Sequence, residues 1–237
     1  MIITNFIKTR LSKLKIDDLY VKYKMSLDCD EAIRHILYLH GINPSLNGSM
    51  MEALLRYTYG DIMEYKADKI FIIMSGNTKL HPFIKEFLFG EETEKVKILK
   101  YCIIYIYFIH GNPLSEMSNS NVYKYYKYLY DHIDIIMKYI YDIKNYLNFK
   151  KSPIFEIYCD GYKIPDLEGY ADMICDDWII EIKCSNETNI PYWHKQLEIY
   201  NIKCHKEKNG IINIKTNTFI EFLNKDLINE DMLLDFL

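Results

Sequence analysis

The residues of this chain that could do chemistry lie around the dipeptide Asp176-Asp177, which is flanked by two runs of β-prone residues. This arrangement fits a hairpin with a two-residue turn. Pairing counted outward from the turn places Asp172 opposite Glu181, and Lys183, two residues further along, shares their face. Opposed like charges destabilise a sheet, and a bound divalent cation would relieve the repulsion between the two carboxylates. The spacing therefore predicts a metal site at the end of an apolar hairpin.

The same register allows a simpler interpretation, in which the three charged residues are only the polar face of a half-exposed hairpin. The alternate residues would then form its buried face, namely Met173, Cys175, Ile180 and Ile182. The register pairs Cys175 with Trp178, Ile174 with Ile179, and Met173 with Ile180. An isolated Glu-x-Lys on a strand is common, so the choice between the two interpretations depends on residues in neighbouring segments.

A predicted helix follows the hairpin, beginning after the break at Pro191 and ending near Gly210. Gln196 and Tyr200 are four residues apart and therefore lie on one face of it. Residues 154–222 then read as five strands and one helix in the order β-β-β-α-β-β. Taken alone, this Gln and Tyr would be ordinary helix surface or core edge, but their distance after the charged hairpin suggests that they belong to the same site.

Five residues of this region together resemble the core of the PD-(D/E)-x-K nucleases: Asp172, Glu181, Lys183, Gln196 and Tyr200. The likeness is to the RecB-like branch, which includes lambda exonuclease and YqaJ-type recombinases. In that branch the metal-binding aspartate sits in a Gly-x-x-Asp motif, which here begins at Gly169. The resemblance covers residues 154–222 well and the rest weakly. It implies a restriction-endonuclease-like core, with a central sheet flanked by helices and a helical N-terminal half that forms one wall of a DNA channel.

The resemblance also implies a metal centre. Asp172 and Glu181 would hold Mg²⁺ or Mn²⁺, with the backbone carbonyl of Ile182 as a further ligand, because these ions prefer oxygen ligands. Lys183 would orient or activate the attacking water.

The implied activity is hydrolysis of DNA phosphodiester bonds, and the Gln-x-x-x-Tyr helix favours an exonuclease of replication, recombination or repair. Gln196 and Tyr200 would contact the phosphate backbone of single- or double-stranded DNA, or support Lys183. Two alternatives stay open: an endonuclease of the same fold acting on DNA or RNA, and a non-catalytic nucleic-acid-binding protein that retains the fold.

An upstream acidic residue on a helix completes the family's site, and Glu52 is the candidate here. It follows Gly48 by four residues at the start of an apolar run and would allow a second metal ion. A structural alternative competes, because Ser49-x-x-Glu52 has the pattern of a capping box, in which the glutamate bonds back to the helix N-terminus.

The composition is that of an ordinary globular protein, with 237 residues, 49% hydrophobic residues and a net charge of −4. No global basic field indicates nucleic acid. Charge is nevertheless segregated along the chain: the run from residue 221 holds five acids and one lysine, whereas the first 24 residues hold Asp17 and Asp18 against six cations, namely Lys8, Arg10, Lys13, Lys15, Lys22 and Lys24. This leaves room for a locally basic face, although a solvated amphipathic helix would explain either segment taken alone.

The six cysteines are scattered, at positions 29, 102, 159, 175, 184 and 204, and include no Cys-x-x-Cys pair. Some RecB-like relatives bind an iron–sulfur cluster through cysteines after the core; none follows Cys204, so we expect no such cluster. The chain shows no signal peptide, and its longest apolar run, 101–109, is too short to span a bilayer. We therefore expect free thiols in an intracellular, reducing compartment and no membrane partner.

Residues 1–150 read as mostly helical, with helical periodicity near 30–41, 49–65, 81–89, 92–110 and 119–148, and with 67–74 as an alternative strand. A short helix is predicted within 225–236. Helices followed by a sheet that one helix crosses predict an α/β or α+β architecture with a central mixed sheet. We expect a helical half, 1–150, to pack on a nuclease-like core, 151–237, as one compact unit. The oligomeric state is not specified.

Overall fold

The computed structural model describes residues 1–16, 19–25, 30–40, 44–60, 93–110 and 120–236. The chain divides into two compact units, which we call the sheet unit (Met1–Ser26 with Asn148–Leu237) and the helical unit (Leu27–Leu147). The helix predicted near 81–89 and the alternative strand at 67–74 lie outside the described residues.

The sheet unit is built on a six-stranded mixed sheet with the strand order β1-β6-β5-β4-β3-β2. Its strands are β1 (Tyr20–Lys24), β2 (Ile154–Cys159), β3 (Gly169–Cys175), β4 (Trp178–Lys183), β5 (Lys208–Asn213) and β6 (Thr218–Phe222). Strands β4 and β5 are parallel, and every other adjacent pair is antiparallel. The predicted mixed sheet in an α+β architecture is confirmed, as is the strand and helix order over residues 154–222.

The helix that connects the two parallel strands is an interior element. Helix α6 (Ile190–Cys204) has Pro191 in its first turn, where a missing N–H costs no helical hydrogen bond. It ends at His205, whose left-handed backbone lets its N–H donate to the carbonyl of Asn201. Every residue from 193 to 201 is buried, including five polar ones, namely His194, Lys195, Gln196, Glu198 and Asn201. The helix thus brings polar side chains into the core of the sheet unit.

The first 26 residues belong to the sheet unit, which differs from the predicted boundary near residue 150. Helix α1 (Ile3–Thr9) buries three apolar side chains in the sheet unit, and β1 pairs with β6 along its whole length. The sequence gives little sign of β1, because this edge strand is mostly exposed and carries Lys22 and Lys24. Lysines are typical of edge strands, where they discourage further pairing.

The helical unit contains α2 (Asp30–His40), α3 (Pro44–Thr58), α4 (Glu94–His110) and α5 (Ser120–Leu147). These match four of the five predicted helical segments, although α3 begins earlier than expected, at Pro44. A short helix, α7 (Glu230–Leu234), lies near the C-terminus in the sheet unit and is capped by the side chain of Asn229. Among the described helices, none is both long and apolar enough to cross a membrane. The five described cysteines are free thiols, as expected.

Candidate active site

Strands β3 and β4 form the predicted hairpin in the predicted register. Cys175 pairs with Trp178, and the ladder continues to Met173 with Ile180. The turn residue Asp176 has a φ of 49°, a left-handed conformation that aspartate tolerates better than most residues. The short-range part of the site therefore follows directly from the sequence.

Beyond this ladder, Asp172 contacts β4 through its side chain. Its Oδ2 accepts a hydrogen bond of 2.8 Å from the backbone N–H of Ile182. This bond holds the carboxylate beside the main chain that carries the Glu-x-Lys sequence. The proposed ligand residues Asp172, Glu181 and Ile182 are thus brought together within one hairpin.

Glu181 is completely buried, with 0% of its residue surface exposed. The half-exposed polar face that the simpler interpretation requires is therefore absent at this position. Its Oε2 accepts a hydrogen bond from Lys183, whereas its Oε1 is buried and has no hydrogen-bond donor among the described residues when both carboxyl groups are ionised. A proton on one of the two groups would let Glu181 and Asp172 share a hydrogen bond. A buried carboxylate oxygen without a partner is costly. It marks a position at which a cation would be stabilised.

Lys183 connects the carboxylates to helix α6. Its ammonium group donates to Glu181 and lies 3.5 Å from Oε1 of Gln196, whose amide nitrogen donates to the hydroxyl of Tyr200 at 3.1 Å. Only 19% of the Lys183 side chain is exposed. The structure therefore brings together all five motif residues of the sheet unit in one connected network, with Gln196 and Tyr200 placed to support Lys183.

The two carboxyl groups have raised pKa values. Burial is the largest cause of the raised pKa of Asp172, opposed by Lys183 and by the hydrogen bond from Ile182. Burial, reinforced by the charge of Asp172, raises the pKa of Glu181 to about 8, and Lys183 again acts in the opposite direction. Since a nearby positive charge favours both ionised forms, a metal ion would restore them to carboxylates.

Metal-free protein is expected to lose stability as the pH rises. The unfolded chain releases the Glu181 proton near the ordinary value of 4.5, whereas the folded state retains it to about 8. Between these values the folded state binds more protons, so the free energy of unfolding falls with pH, by at most about 1.4 kcal/mol per pH unit. Glu181→Gln should flatten this dependence in urea denaturation measured in EDTA. The exposed Glu207→Gln serves as the control and should follow the wild-type curve; a flat wild-type curve would contradict the assignment.

Gly169, the first residue of the Gly-x-x-Asp motif, provides space for Tyr200. A Cβ atom at this position would lie 3.0 Å from Cε1 and 3.1 Å from the hydroxyl of Tyr200, and 3.1 Å from Cδ1 of Ile3. Both neighbours are buried and belong to elements packed on the sheet. The glycine therefore allows α6 and α1 to approach the start of β3.

Gly169→Ala should displace Tyr200 and weaken its contact with Gln196. We expect a loss of about 1–3 kcal/mol in the free energy of unfolding, as for other overpacked cores, measured by chemical denaturation. Gly48→Ala is the control, because nothing lies within 4 Å of a Cβ there. Gly48 is inside α3, so alanine should stabilise the protein by up to about 1 kcal/mol. Equal stability of Gly169→Ala and wild type would show that Tyr200 moves freely.

Two further residues, Glu156 and Tyr192, lie next to the site. Glu156 lies on β2 between Phe155 and Ile157, which pair with the two neighbours of Asp172, and it has a φ of 49°. After burial, its charge adds to the causes that raise the pKa of Asp172. Tyr192, in the first turn of α6, has a pKa raised by burial and affected by Lys183 and Glu181. No periodicity in the sequence indicates Tyr192, because its role depends on how α6 crosses the sheet.

Glu52 lies in the helical unit, within α3. Its Oε1 accepts a hydrogen bond of 2.5 Å from the hydroxyl of Tyr105 and lies 4.0 Å from Nη1 of Arg56. The capping-box alternative is wrong, because α3 begins at Pro44 and Ser49 is therefore inside the helix rather than at its N-cap. The role of Glu52 as a metal ligand stays a prediction.

The sheet unit offers two carboxylates at the candidate site, those of Asp172 and Glu181, as possible metal ligands. Among the described residues, no group of three or more His, Cys, Asp or Glu side chains could hold a metal ion. Mg²⁺ is commonly held by one or two carboxylates and keeps several waters. Two carboxylates, with one buried Glu181 oxygen that has no hydrogen-bond donor among the described residues when ionised, fit that requirement.

Comparisons of this chain with protein-family models, with curated proteins and with solved structures found no match. The function is therefore inferred from the residues of the site and their geometry.

Proposed function

We propose that this protein is a metal-dependent nuclease that hydrolyses DNA phosphodiester bonds, with a restriction-endonuclease-like core formed by β2–β5 and α6. The observation that carries the proposal is the buried carboxylate of Glu181, in which one oxygen has no hydrogen-bond donor among the described residues when ionised and the other accepts a bond from Lys183. A purely structural hairpin would gain stability from an apolar residue at this position. The arrangement is instead suited to bind a cation beside an ammonium group.

Asp172, Glu181 and the carbonyl of Ile182 would hold Mg²⁺ or Mn²⁺. When bound, the ion would neutralise charge on the phosphoryl oxygens and lower the pKa of a coordinated water. The hydrogen bond from Ile182 keeps the Asp172 carboxylate in place before the metal arrives. Such preorganisation reduces the cost of assembling the site.

Lys183 would orient the attacking water and offset negative charge that develops on the phosphate. Its ammonium is held between Glu181 and Gln196, and Tyr200 in turn holds the amide of Gln196. An ammonium held by several partners is preorganised for charge that develops in the transition state. None of these groups reads base edges, so we expect little sequence preference.

The direct test is incubation of the purified protein with end-labelled linear DNA and with closed circular DNA, in Mg²⁺, in Mn²⁺ and in EDTA. An exonuclease releases nucleotides from the linear substrate only, and only with metal. Cleavage of the circle would instead support the endonuclease alternative, and a parallel RNA substrate would define the nucleic acid. Binding without cleavage under every metal condition would support the non-catalytic alternative and overturn the proposed activity.

Glu52→Gln tests whether this residue completes the metal site. If Glu52 is a ligand, we expect a normally folded variant whose Mg²⁺-dependent cleavage falls at least about tenfold, with partial recovery at high Mn²⁺, because an amide coordinates metal more weakly than a carboxylate. The amide oxygen can still accept the bond from Tyr105, so stability should stay close to wild type. Steady-state rates across a metal titration provide the measurement. Unchanged activity would remove Glu52 from the site and leave a one-ion mechanism.

A further inference from the structure

The N-terminal part of the sheet unit carries a cationic segment that the catalytic proposal does not use. Residues 8–15, which we call the basic segment, contain four exposed cations and no acid: Lys8, Arg10, Lys13 and Lys15. The protein as a whole has a net charge of −4. Positive charge is therefore concentrated here against the overall balance. Asp17 and Asp18, which follow in the sequence, lie outside the described residues.

The four cations have no acidic partner among the described residues, whereas several other lysines of the sheet unit do. Lys22 pairs with Glu187, and further pairs join Lys163 to Asp231 and Lys203 to Glu230. Among the described residues, the four cationic side chains of the basic segment form no hydrogen bond or ion pair. Their charge is not neutralised within the described part of the protein and remains exposed to an external anion.

The basic segment is anchored beside the candidate site. The N–H of Ile3, at the start of α1, donates to the carbonyl of Glu168, and Cδ1 of Ile3 borders Gly169 together with Tyr200. The hydroxyl of Tyr192 donates to the carbonyl of Thr4 at 3.2 Å. Within the basic segment itself, the carbonyl of Leu11 accepts a hydrogen bond of 3.0 Å from the side chain of the buried Lys195, which belongs to α6. The main chain is therefore held on both sides of Lys8 and Arg10 by the helix that carries Gln196.

We propose that the basic segment binds the phosphate backbone of the DNA strand that enters the site. This inference rests on the proposed function, because the site next to it would act on that same backbone. Exposed cations on an anchored main chain would add affinity and fix the register of the strand without reading its sequence. The rest of the chain carries a net negative charge, which would repel DNA, so the segment would also select the direction of approach.

The test compares two triple variants in the full chain. One neutralises the basic segment (Lys8→Gln, Arg10→Gln, Lys13→Gln), and the matched control removes the same charge elsewhere on the sheet unit (Lys150→Gln, Lys151→Gln, Lys225→Gln). The control residues are also exposed, and the Lys150 N–H contacts Asp176 at the turn end of the hairpin. Binding of a fluorescent 20-nucleotide single strand and of its duplex is measured by anisotropy in EDTA, from low to moderate salt.

The basic-segment variant should lose at least about tenfold in affinity at low salt, and its slope of log K against log salt should fall by about 2 to 3, since each phosphate contact contributes about 0.7–0.9. The control should change little. Equal losses in both variants, or wild-type affinity in the first, would overturn the inference. Circular dichroism and thermal unfolding check that both variants fold.

The outcomes separate this inference from the proposed function, because binding is measured without turnover. If the wild type cleaves DNA and the basic-segment variant binds DNA normally, the proposed binding surface is wrong and the nuclease proposal stands. If the segment controls binding but no metal supports cleavage, the surface stands and the nuclease proposal fails. A wild-type protein that binds neither DNA form overturns the surface.

Discussion

Asp172→Ala and Glu181→Ala are each expected to abolish metal-dependent cleavage, by a factor of about 10²–10³ or more, the range found when a single group that stabilises transition-state charge is removed. The reason is geometric: the two carboxylates are the only ionised ligands proposed in the sheet unit, and Glu181 supplies a buried oxygen that has no hydrogen-bond donor among the described residues when ionised. Cleavage rates are measured on linear DNA at saturating Mg²⁺.

The fold should survive both changes. Removing Glu181 relieves a buried charge but leaves a cavity, so the isosteric Glu181→Gln separates the two effects and should be at least as stable as wild type in EDTA at pH 8. Asp172→Asn retains an oxygen that can accept the bond from Ile182. Asp177→Ala is the matched control, because this carboxylate is exposed on the same hairpin. Full activity in either alanine variant would remove the metal site from this hairpin.

Lys183→Ala should lose turnover by about 10²–10⁴-fold, the usual contribution of a positioned acid–base group. DNA affinity in EDTA should change by only about threefold, because the proposed role is realised mainly in the transition state. Lys183→Arg should not restore the rate, since a planar guanidinium cannot replace a compact ammonium between Glu181 and Gln196. Single-turnover rates and anisotropy provide the two measurements.

A control variant and a stability measurement accompany this prediction. The exposed Lys225→Ala removes one positive charge from the same unit and should leave both quantities near wild type. Lys183→Ala also leaves the buried Glu181 without its ammonium partner, so its stability in EDTA must be measured alongside. If affinity and turnover fall by the same factor, Lys183 is a phosphate anchor rather than a group that acts in the chemical step.

The sequence alone was sufficient for the parts of the site that depend on short-range geometry. The Asp176-Asp177 turn and the period-two pattern on either side determine the register from Cys175–Trp178 to Met173–Ile180, because a one-residue slip would expose the apolar residues. Helical periodicity likewise located α6, α4 and α5, together with the four-residue spacing of Gln196 and Tyr200. Each of these features depends only on residues that are close together in the sequence.

Other features depended on contacts between distant segments. The capping-box alternative for Glu52 failed because Pro44 begins the helix five residues earlier than the apolar pattern indicated. Strand β1 carries no clear strand pattern, and it is recognised only through its pairing with β6, nearly 200 residues away. An edge strand with lysines looks like a solvated segment until its partner is known.

The burial of Glu181 is the most consequential result that only the tertiary structure decided. Side chains alternate along β4, so Glu181 lies on the opposite face of the strand from Ile180 and Ile182. In an isolated hairpin this face would be exposed to water. Helix α6 crosses that face between two parallel strands and covers it, so the carboxylate is buried and Lys183 comes within reach of Gln196. Local pattern specifies which residues share a face, but whether that face meets water depends on which distant element packs against it, and that is a property of the complete fold.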